Sequence, residues 1–128
     1  MAENMARILV VEDEAPVRDF LRRALEMDGH HTLGAGDGGE GLDLLQQEAG
    51  KVDLLLTDIR MPVMDGIALA LAAARDFPDM PILLMTGYAD QRERARNLES
   101  LIREVLVKPF TLTHLREVVN GVVAGPRL

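Results

Sequence analysis

Five short runs of aliphatic residues recur along the chain, at positions 7–11, 31–35, 52–57, 82–85 and 105–107. All of them except 31–35 are nearly continuous in Val, Ile and Leu, a pattern typical of strands buried on both faces. The run 31–35 mixes polar and small residues with apolar ones and predicts a weaker strand. The chain is therefore expected to contain five strands, separated by segments of a different periodicity.

Between and after these runs, apolar residues recur at i, i+3 and i+4, the spacing of amphipathic helices. The first helix begins near Pro16 and closes near 28–29, with a predicted buried stripe of Val17, Phe20, Leu21, Ala24 and Leu25. The second is predicted to be capped by Asp37 and stopped by Gly50. The helix 67–76 is apolar nearly all round, so we expect it to be well covered.

The last two helices differ in apolar content. The segment 89–100 is highly charged, and only Ala95, Leu98 and Leu101 form a thin apolar stripe. We therefore expect a mobile, weakly anchored helix there. The last helix ends near 125–126 and carries a regular aliphatic stripe of Leu112, Leu115, Val119 and Val122.

Strand and helix alternate five times, which predicts an α/β domain with a parallel sheet and helices on both faces. Right-handed crossovers restrict the topology to a doubly wound, flavodoxin-like sheet with strand order 2-1-3-4-5. This arrangement uses all 128 residues, so we expect one domain spanning 1–128. The residues at the two ends favour a complete single-domain protein.

Composition narrows the class of function. The chain has no cysteine, which excludes disulfides, thiolate chemistry and zinc–thiolate sites. Its net charge of −7 argues against direct binding to nucleic acid. Neither a leader segment nor a membrane span is recognisable, so we expect a cytoplasmic protein that does not associate with membranes. His30, His31 and His114 lack metal-ligand spacing and are interpreted as surface or half-buried residues.

Chemically active side chains follow four of the predicted strands. Glu12 and Asp13 come after the first, Asp58 ends the third, Thr86 follows the fourth and Lys108 follows the fifth. In a parallel sheet these ends lie on one rim, where open α/β folds bind ligands. Three acids gathered there repel one another unless some stay protonated or a hard cation lies among them.

Ligands that are all oxygen suit Mg²⁺, which keeps several waters and bridges carboxylates to phosphate. Asp58, at the lip of the sheet, is the candidate nucleophile for a phosphoryl group, with an acyl phosphate as the product. Lys108 would supply a positive charge to the phosphoryl oxygens, and Thr86 a hydroxyl donor.

Four motifs, at these spacings, resemble a response-regulator receiver domain of two-component signalling over essentially the full length. They are Val11-Glu12-Asp13-Glu14, Thr57-Asp58-Ile59-Arg60-Met61-Pro62 with Met64-Asp65-Gly66, Met85-Thr86-Gly87, and Val107-Lys108-Pro109-Phe110. Each motif is weak alone, but the four in this order are highly specific.

The resemblance implies a phosphoacceptor that catalyses only its own phosphorylation and slow autodephosphorylation. Asp58 would accept the group from a phosphohistidine on a sensor histidine kinase or a histidine phosphotransfer protein. Thr86 and Lys108 would contact the phosphoryl oxygens, and the Lys108–Pro109 bond would be cis. The implied ligands of Mg²⁺ are oxygen donors at the rim: Glu12 through water, Asp13, Asp58 and the backbone carbonyl of Arg60.

One departure concerns how a signal leaves the site. Val105 stands where the family usually has the Tyr or Phe of its switch, and Tyr88 is a candidate replacement. Thr86 and Lys108 would be drawn toward an added phosphoryl group and would pull on the loops that follow their strands. The predicted partner surface is therefore the face of the fourth helix, fifth strand and last helix, in a monomer or weak dimer.

A dinucleotide-binding domain is a competing interpretation. Residues 34–39 match G-x-G-x-x-G after a predicted strand, and Asp53 lies about 20 residues past the start of the motif. Against it, Asp37 would point a negative charge at the pyrophosphate.

Two further alternatives stay open. Taken singly, the acids 12–14 are ordinary residues at a helix N-terminus, Asp58 caps a turn and Lys108 is a surface lysine. A phosphate-independent pseudo-receiver, which keeps the fold without the switch, is favoured by Val105 alone.

Overall fold

The computed structural model describes residues 5–87 and 89–125, with 89–92 described by their backbone only. Its five strands are β1 (Arg7–Val11), β2 (His31–Ala35), β3 (Leu54–Asp58), β4 (Ile82–Thr86) and β5 (Glu104–Val107). Its helices are α1 (Ala15–Glu26), α2 (Gly38–Glu48), α3 (Gly66–Asp76), α4 (Ala89–Arg96) and α5 (Leu112–Ala124). All strands are parallel and in the order β2-β1-β3-β4-β5, as predicted.

Burial on both faces explains why the inner strands read as continuous aliphatic runs. Successive residues of a strand point to opposite sides of the sheet, so they enter two separate cores. One core contains Leu9, Leu55 and Leu84, together with residues of α2 and α3. The other contains Ile8 and Leu56, packed against α1 and α5. The strands therefore separate two apolar layers.

Of the helices whose capping residue the structure describes, α2, α3 and α5 begin with a side-chain cap. Asp37 accepts a hydrogen bond from the backbone N–H of Glu40, at 2.8 Å, which confirms the predicted cap of α2. Asp65 caps α3 and Thr111 caps α5 in the same way. These contacts satisfy backbone donors that have no partner inside the helix.

Some residues at the edges of the predicted apolar stripes are exposed in the structure. Phe20 is 57% exposed, because the buried face of α1 is set by Leu21, Ala24 and Leu25. The third helix, which we expected to be well covered, buries one apolar face but leaves Leu71 exposed. The fourth helix ends at Arg96, short of the predicted position 100, and Leu101 beyond it is exposed. Periodicity locates a buried face to within one residue either side, and the neighbouring elements decide its edges.

His30 is buried, contrary to the prediction of a surface or half-buried residue. Its Nδ1 accepts a hydrogen bond from the backbone N–H of Ala6 at 3.1 Å, and its Nε2 lies 2.7 Å from Oδ1 of Asn120. The pair of contacts is satisfied by the tautomer with the proton on Nε2. The ring thus joins the start of β1 to α5, a role that single-residue spacing does not reveal.

An ion pair also joins the end of α1 to α5. Both carboxylate oxygens of Asp28, just after α1, accept from Nε of Arg116 on α5, at 2.9 and 3.1 Å. Asn120 donates to the same carboxylate at 3.0 Å. The hydrogen bond from Arg116 holds the pKa of Asp28 below its ordinary value.

Within the part of the chain that the structure describes, every helix is too short or too polar to cross a membrane.

We expect Asp28→Asn to lower the free energy of unfolding at pH 7 by about 1–2 kcal/mol, because Arg116 loses its charged partner. The folded-state pKa of Asp28 is depressed, so its contribution is present above the unfolded value of 3.8 and is lost as the pH falls below it. Urea unfolding of both proteins at neutral and acid pH should show the difference shrinking in acid.

The matched control is Asp76→Asn, which removes an exposed carboxylate that pairs with its sequence neighbour Arg75. We expect its effect to stay within about 0.5 kcal/mol. Equal losses in the two variants, or a difference independent of pH, would contradict the assigned role of Asp28.

Candidate functional site

The parallel register brings residues distant in sequence to one rim of the sheet. Val11 is opposite Thr57, Asp58 is opposite Met85, and Thr86 is opposite Val107. The residues that end these strands or follow them therefore project from the same edge. This is the edge where open α/β sheets bind ligands.

Three acids meet at this rim. Glu12 is fully buried, Asp58 is 8% exposed and Asp13 is exposed. One carboxylate oxygen from each lies within 4.8 Å of the other two. Glu12 is fixed through its backbone, whose N–H donates to the carbonyl of Ala35 at 3.0 Å. The predicted acidic cluster thus forms in space as well as in sequence.

Lys108 lies between two of these acids. Its Nζ is 3.0 Å from Oδ2 of Asp58 and 3.2 Å from Oε1 of Glu12. Its backbone N–H donates to the carbonyl of Thr86 at 2.8 Å, which ties the ends of β4 and β5 together. The Lys108–Pro109 bond is cis, as the sequence resemblance implied.

Asp58 is held by the turn that follows it. Its Oδ1 accepts from the backbone N–H of Ile59 at 2.9 Å, which leaves Oδ2 facing Lys108. The N–H of Gly66 donates to the carbonyl of Ile59 at 2.7 Å. A Cβ at Gly66 would overlap the carbonyl oxygen of Asp58, so only glycine lets α3 begin this close to the acid.

The tip of this turn carries backbone strain. Val63 has φ +69° and is 87% exposed, and the N–H of Met64 bonds the carbonyl of Pro62 at 2.8 Å. A positive φ is unusual for a β-branched residue, and a bond across one residue makes this a strained γ-turn. The carbonyl of Met64 accepts from the N–H of Gly38 at 3.0 Å, so the start of α2 supports the turn.

The electrostatic environment of the rim raises the pKa values of Glu12 and Lys108. Burial is the largest cause that raises the pKa of Glu12, and the charge of Asp58 adds to it against the opposing effects of Glu14 and Lys108. Burial works to lower the pKa of Lys108, but its contacts with Asp58 and Glu12 outweigh this and raise that pKa above its ordinary value. Lys108 is therefore a protonated ammonium group at neutral pH.

A cleft of about 550 Å³ opens above these groups, lined by Asp13, Glu14, Asp58, Arg60, Gly87 and Lys108. Thr86, which we predicted to act in the site, is fully buried at the end of β4 and is not among the lining residues. Glu14 and Gly87 line the cleft without having been predicted as site residues. Their sequence signal is that each belongs to a quoted motif and adjoins a predicted site residue.

The structure contradicts the dinucleotide interpretation, because it separates the acidic residue from the glycine-rich motif. Asp53 precedes β3, where its carboxylate accepts from the backbone N–H of Arg7 at 2.8 Å. That position is at the opposite end of the sheet from the glycine-rich turn after β2. The motif also follows an edge strand, whereas the cleft lies between the ends of β1, β3, β4 and β5.

The donor set fits a small hard cation. Every candidate side-chain ligand is a carboxylate oxygen, and the single charge of Lys108 balances only one of the three acids. The remaining negative charge and the absence of nitrogen or sulfur donors in this set favour Mg²⁺ over softer metals. Asp58, one of these acids, also lines the cleft.

The fold and the rim site together define an open α/β domain built around an acidic oxygen site. A family model described as "Response regulator receiver domain" matches residues 8–120. The response regulator receiver protein CpdR of Brucella abortus is 42% identical over 118 residues, covering 92% of this chain and 94% of that protein. The chain therefore belongs to the response regulator receiver domain family, a class of signalling domains and not of classical enzymes.

Solved structures agree with this assignment. A response regulator receiver domain protein from Clostridium thermocellum has a TM-score of 0.85 at 28% identity, covering 92% of this chain and 94% of that one. The non-phosphorylated HemR receiver domain from Leptospira biflexa also has a TM-score of 0.85, at 31% identity, covering 96% and 98%.

Other relatives are longer than this chain. The response regulator MprA of Mycobacterium avium is 37% identical over 109 residues, which cover 85% of this chain but 47% of that protein. The chain thus spans about half the length of such relatives, and matches only the receiver part that they share with it.

We expect Lys108→Met to raise the pKa of Glu12 further, because the ammonium group 3.2 Å from its carboxylate is removed while the charge of Asp58 stays. Carbon NMR of the Glu12 side-chain carboxyl across a pH titration measures the change. Lys51→Met is the control, since Lys51 is exposed and precedes β3, at the opposite end of the sheet from the rim. A Glu12 titration unchanged by Lys108→Met would show that the ion pair does not form in solution.

Proposed function

We propose that this receiver domain is a phosphorylation-activated switch, in which Asp58 accepts a phosphoryl group from the phosphohistidine of a sensor histidine kinase or histidine phosphotransfer protein. The observation that carries the proposal is the ammonium group of Lys108, 3.0 Å from Oδ2 of Asp58, beside three acids with oxygens within 4.8 Å of one another. In this proposal residues 1–128 form one receiver domain that acts through partner proteins.

In the proposed step, an oxygen of the Asp58 carboxylate attacks the phosphorus atom. The bond between phosphorus and the donor's imidazole nitrogen breaks, and the electron pair leaves with the imidazole, whose other ring nitrogen carries a proton so that the leaving group is neutral. The product is an acyl phosphate on Asp58. Hydrogen bonding of Oδ1 to Ile59 leaves Oδ2 as the attacking atom, provided that Lys108 moves aside.

Positive charge for the transferring phosphoryl oxygens would come from two sources. One is Lys108, which exchanges its carboxylate contacts for a phosphoryl oxygen. The other is Mg²⁺, held by Glu12 through water, Asp13, Asp58 and the carbonyl of Arg60, which would neutralise charge in the transition state. Both sources are required because the attacking group is itself an anion in an acidic site.

The proposed role of Thr86 requires a rearrangement. Its hydroxyl lies buried at the end of β4, outside the set of cleft-lining residues. An added phosphoryl group brings acceptor oxygens that the hydroxyl would move to reach, taking the turn after β4 with it. Since the carbonyl of Thr86 already bonds the N–H of Lys108, the turns after β4 and β5 would shift together.

The proposed output surface is the face formed by α4, β5 and α5. A groove of about 300 Å³ lies along it, between the end of α4 and β5, and is lined by Ala95, Arg96, Glu99, Ile102, Arg103, Glu104 and Val105. Leu101 and Val107 are exposed apolar residues of the same region. The residue that we named as a substitute for the switch aromatic, Tyr88, lies outside the described residues.

Val105 supports a second candidate, a pseudo-receiver that binds partners without phosphate. It is half-buried and packs against the core that lies under α2 and α3. No aromatic side chain is available at this position to change its exposure when the site is loaded. The two candidates differ in whether Asp58 is modified at all.

Intact mass after incubation with acetyl phosphate tests the phosphoacceptor proposal. We expect wild type to gain one phosphoryl group in the presence of Mg²⁺ and to lose this gain when the cation is chelated. Asp58→Asn should gain nothing, because the amide is a poor nucleophile. Asp65→Asn is the control, because Asp65 is on the turn after β3 but caps α3. No gain in wild type would favour the pseudo-receiver.

Amide NMR spectra before and after phosphorylation test the output surface. We expect the largest shift changes near Asp58, Gly87 and Lys108, and further changes through β5 and the start of α5. Residues of α2 that face away from the site, such as Asp43, should change little. Changes confined to the immediate neighbours of Asp58 would contradict the proposed route to α4, β5 and α5.

A further inference from the structure

The side chain of Arg18, on α1, contacts the acidic loop, which is formed by residues 12–14 after β1. Its Nη1 donates to the backbone carbonyl of Glu12 at 2.8 Å, and the side chain is half-buried. The N–H of the same residue, Glu12, donates to the carbonyl of Ala35. Both backbone polar groups of Glu12 are therefore held, one by the edge strand and one by a charged donor.

Two glycines of β2 and its following turn make room for this arginine. A Cβ at Gly34 would lie 3.3 Å from Cδ of Arg18, and one at Gly36 would lie 3.4 Å from its Nη1. Both distances are tighter than, or at the limit of, ordinary carbon contacts. The first two glycines of the G-x-G-x-x-G motif thus leave space for an arginine side chain, which accounts for these two glycines without a bound nucleotide.

Arg22, one turn further along α1, also lies against Gly34 but makes different hydrogen bonds. A Cβ at Gly34 would lie 2.9 Å from its Nη1. Its guanidinium donates to the hydroxyl of Thr32 at 2.9 Å and to the carbonyl of Thr32 at 3.2 Å. Arg22 therefore binds the strand, whereas Arg18 binds the acidic loop.

We propose that Arg18 is a positioning residue for the acidic site: it fixes the peptide group between Glu12 and Asp13 and so holds the Asp13 carboxylate near Asp58. The peptide group is planar, so holding the carbonyl of Glu12 also fixes the direction in which the chain enters Asp13. Asp13 is exposed and belongs to the three-acid cluster. This inference rests on the proposed function only in taking the cluster to be a Mg²⁺ site.

The sign of the effect separates positioning from simple electrostatics. Removing a positive charge near an acidic site strengthens cation binding by Coulomb's law. Removing a group that holds a ligand in place weakens it, since the ligand must then be ordered on binding. The two effects oppose each other at Arg18, and only the first operates at Arg22.

The test compares Arg18→Met with Arg22→Met, using Mg²⁺ titrations followed by calorimetry and thermal unfolding as a check of folding. Both variants remove one charge from the same helix and keep an unbranched stem beside Gly34. We expect Arg18→Met to weaken Mg²⁺ binding by about fivefold, the scale of one charged hydrogen bond partly lost. Arg22→Met should bind Mg²⁺ as tightly as wild type or slightly tighter. Arg18→Lys, which restores a donor, should recover part of the loss.

The remaining outcomes are separable. If wild type binds Mg²⁺, Asp13→Asn abolishes that binding and the two methionine variants bind equally, the positioning role is overturned and the proposed function stands. If Arg18→Met binds more tightly than wild type, the charge effect dominates and the inference is again overturned. If wild type itself binds no Mg²⁺, the premise fails, and with it both the cation step of the proposed function and the role given to Arg18.

Discussion

The rim of this domain depends on the ion pairs that one ammonium group, Nζ of Lys108, forms with two acids. It lies 3.0 Å from Asp58 and 3.2 Å from Glu12, two carboxylates that repel each other without it. Burial makes Glu12 costly to ionise, and the same burial makes the contact with Lys108 stronger than one in water. The acids, the ends of β4 and β5, and the cleft above them all depend on this balance of charge.

The sheet register makes that balance possible. Lys108 and Glu12 are 96 residues apart in sequence, yet the parallel strands bring both to one edge. Close backbone contacts then fix the details, because Gly66 lets α3 begin against Asp58 and Gly38 supports the turn at Met64. The buried strands carry the charged groups to the rim, and the short turns that follow them set the direction of each side chain.

Side chains whose partners lie far along the chain were the hardest to interpret from sequence. His30 is buried because Ala6 and Asn120 satisfy its ring, and neither contact follows from spacing. The glycines at 34 and 36 matched a nucleotide motif, but the structure places arginine side chains against them. Phe20 fitted a helical stripe and is nevertheless exposed, since no element within residues 5–87 and 89–125 covers that side of α1. In each case the deciding contact is with another element.

The sequence by itself determined the strands, their order, most helix bounds and the residues at the rim. These follow from local rules: the period of apolar residues, turn and cap residues, and the handedness of crossovers. Only the tertiary structure decided that Lys108 bridges two acids, that Thr86 is buried and not among the cleft-lining residues, and that Arg18 binds the carbonyl of Glu12. Distances and burial arise from packing between elements, and a pattern read along one chain does not contain them.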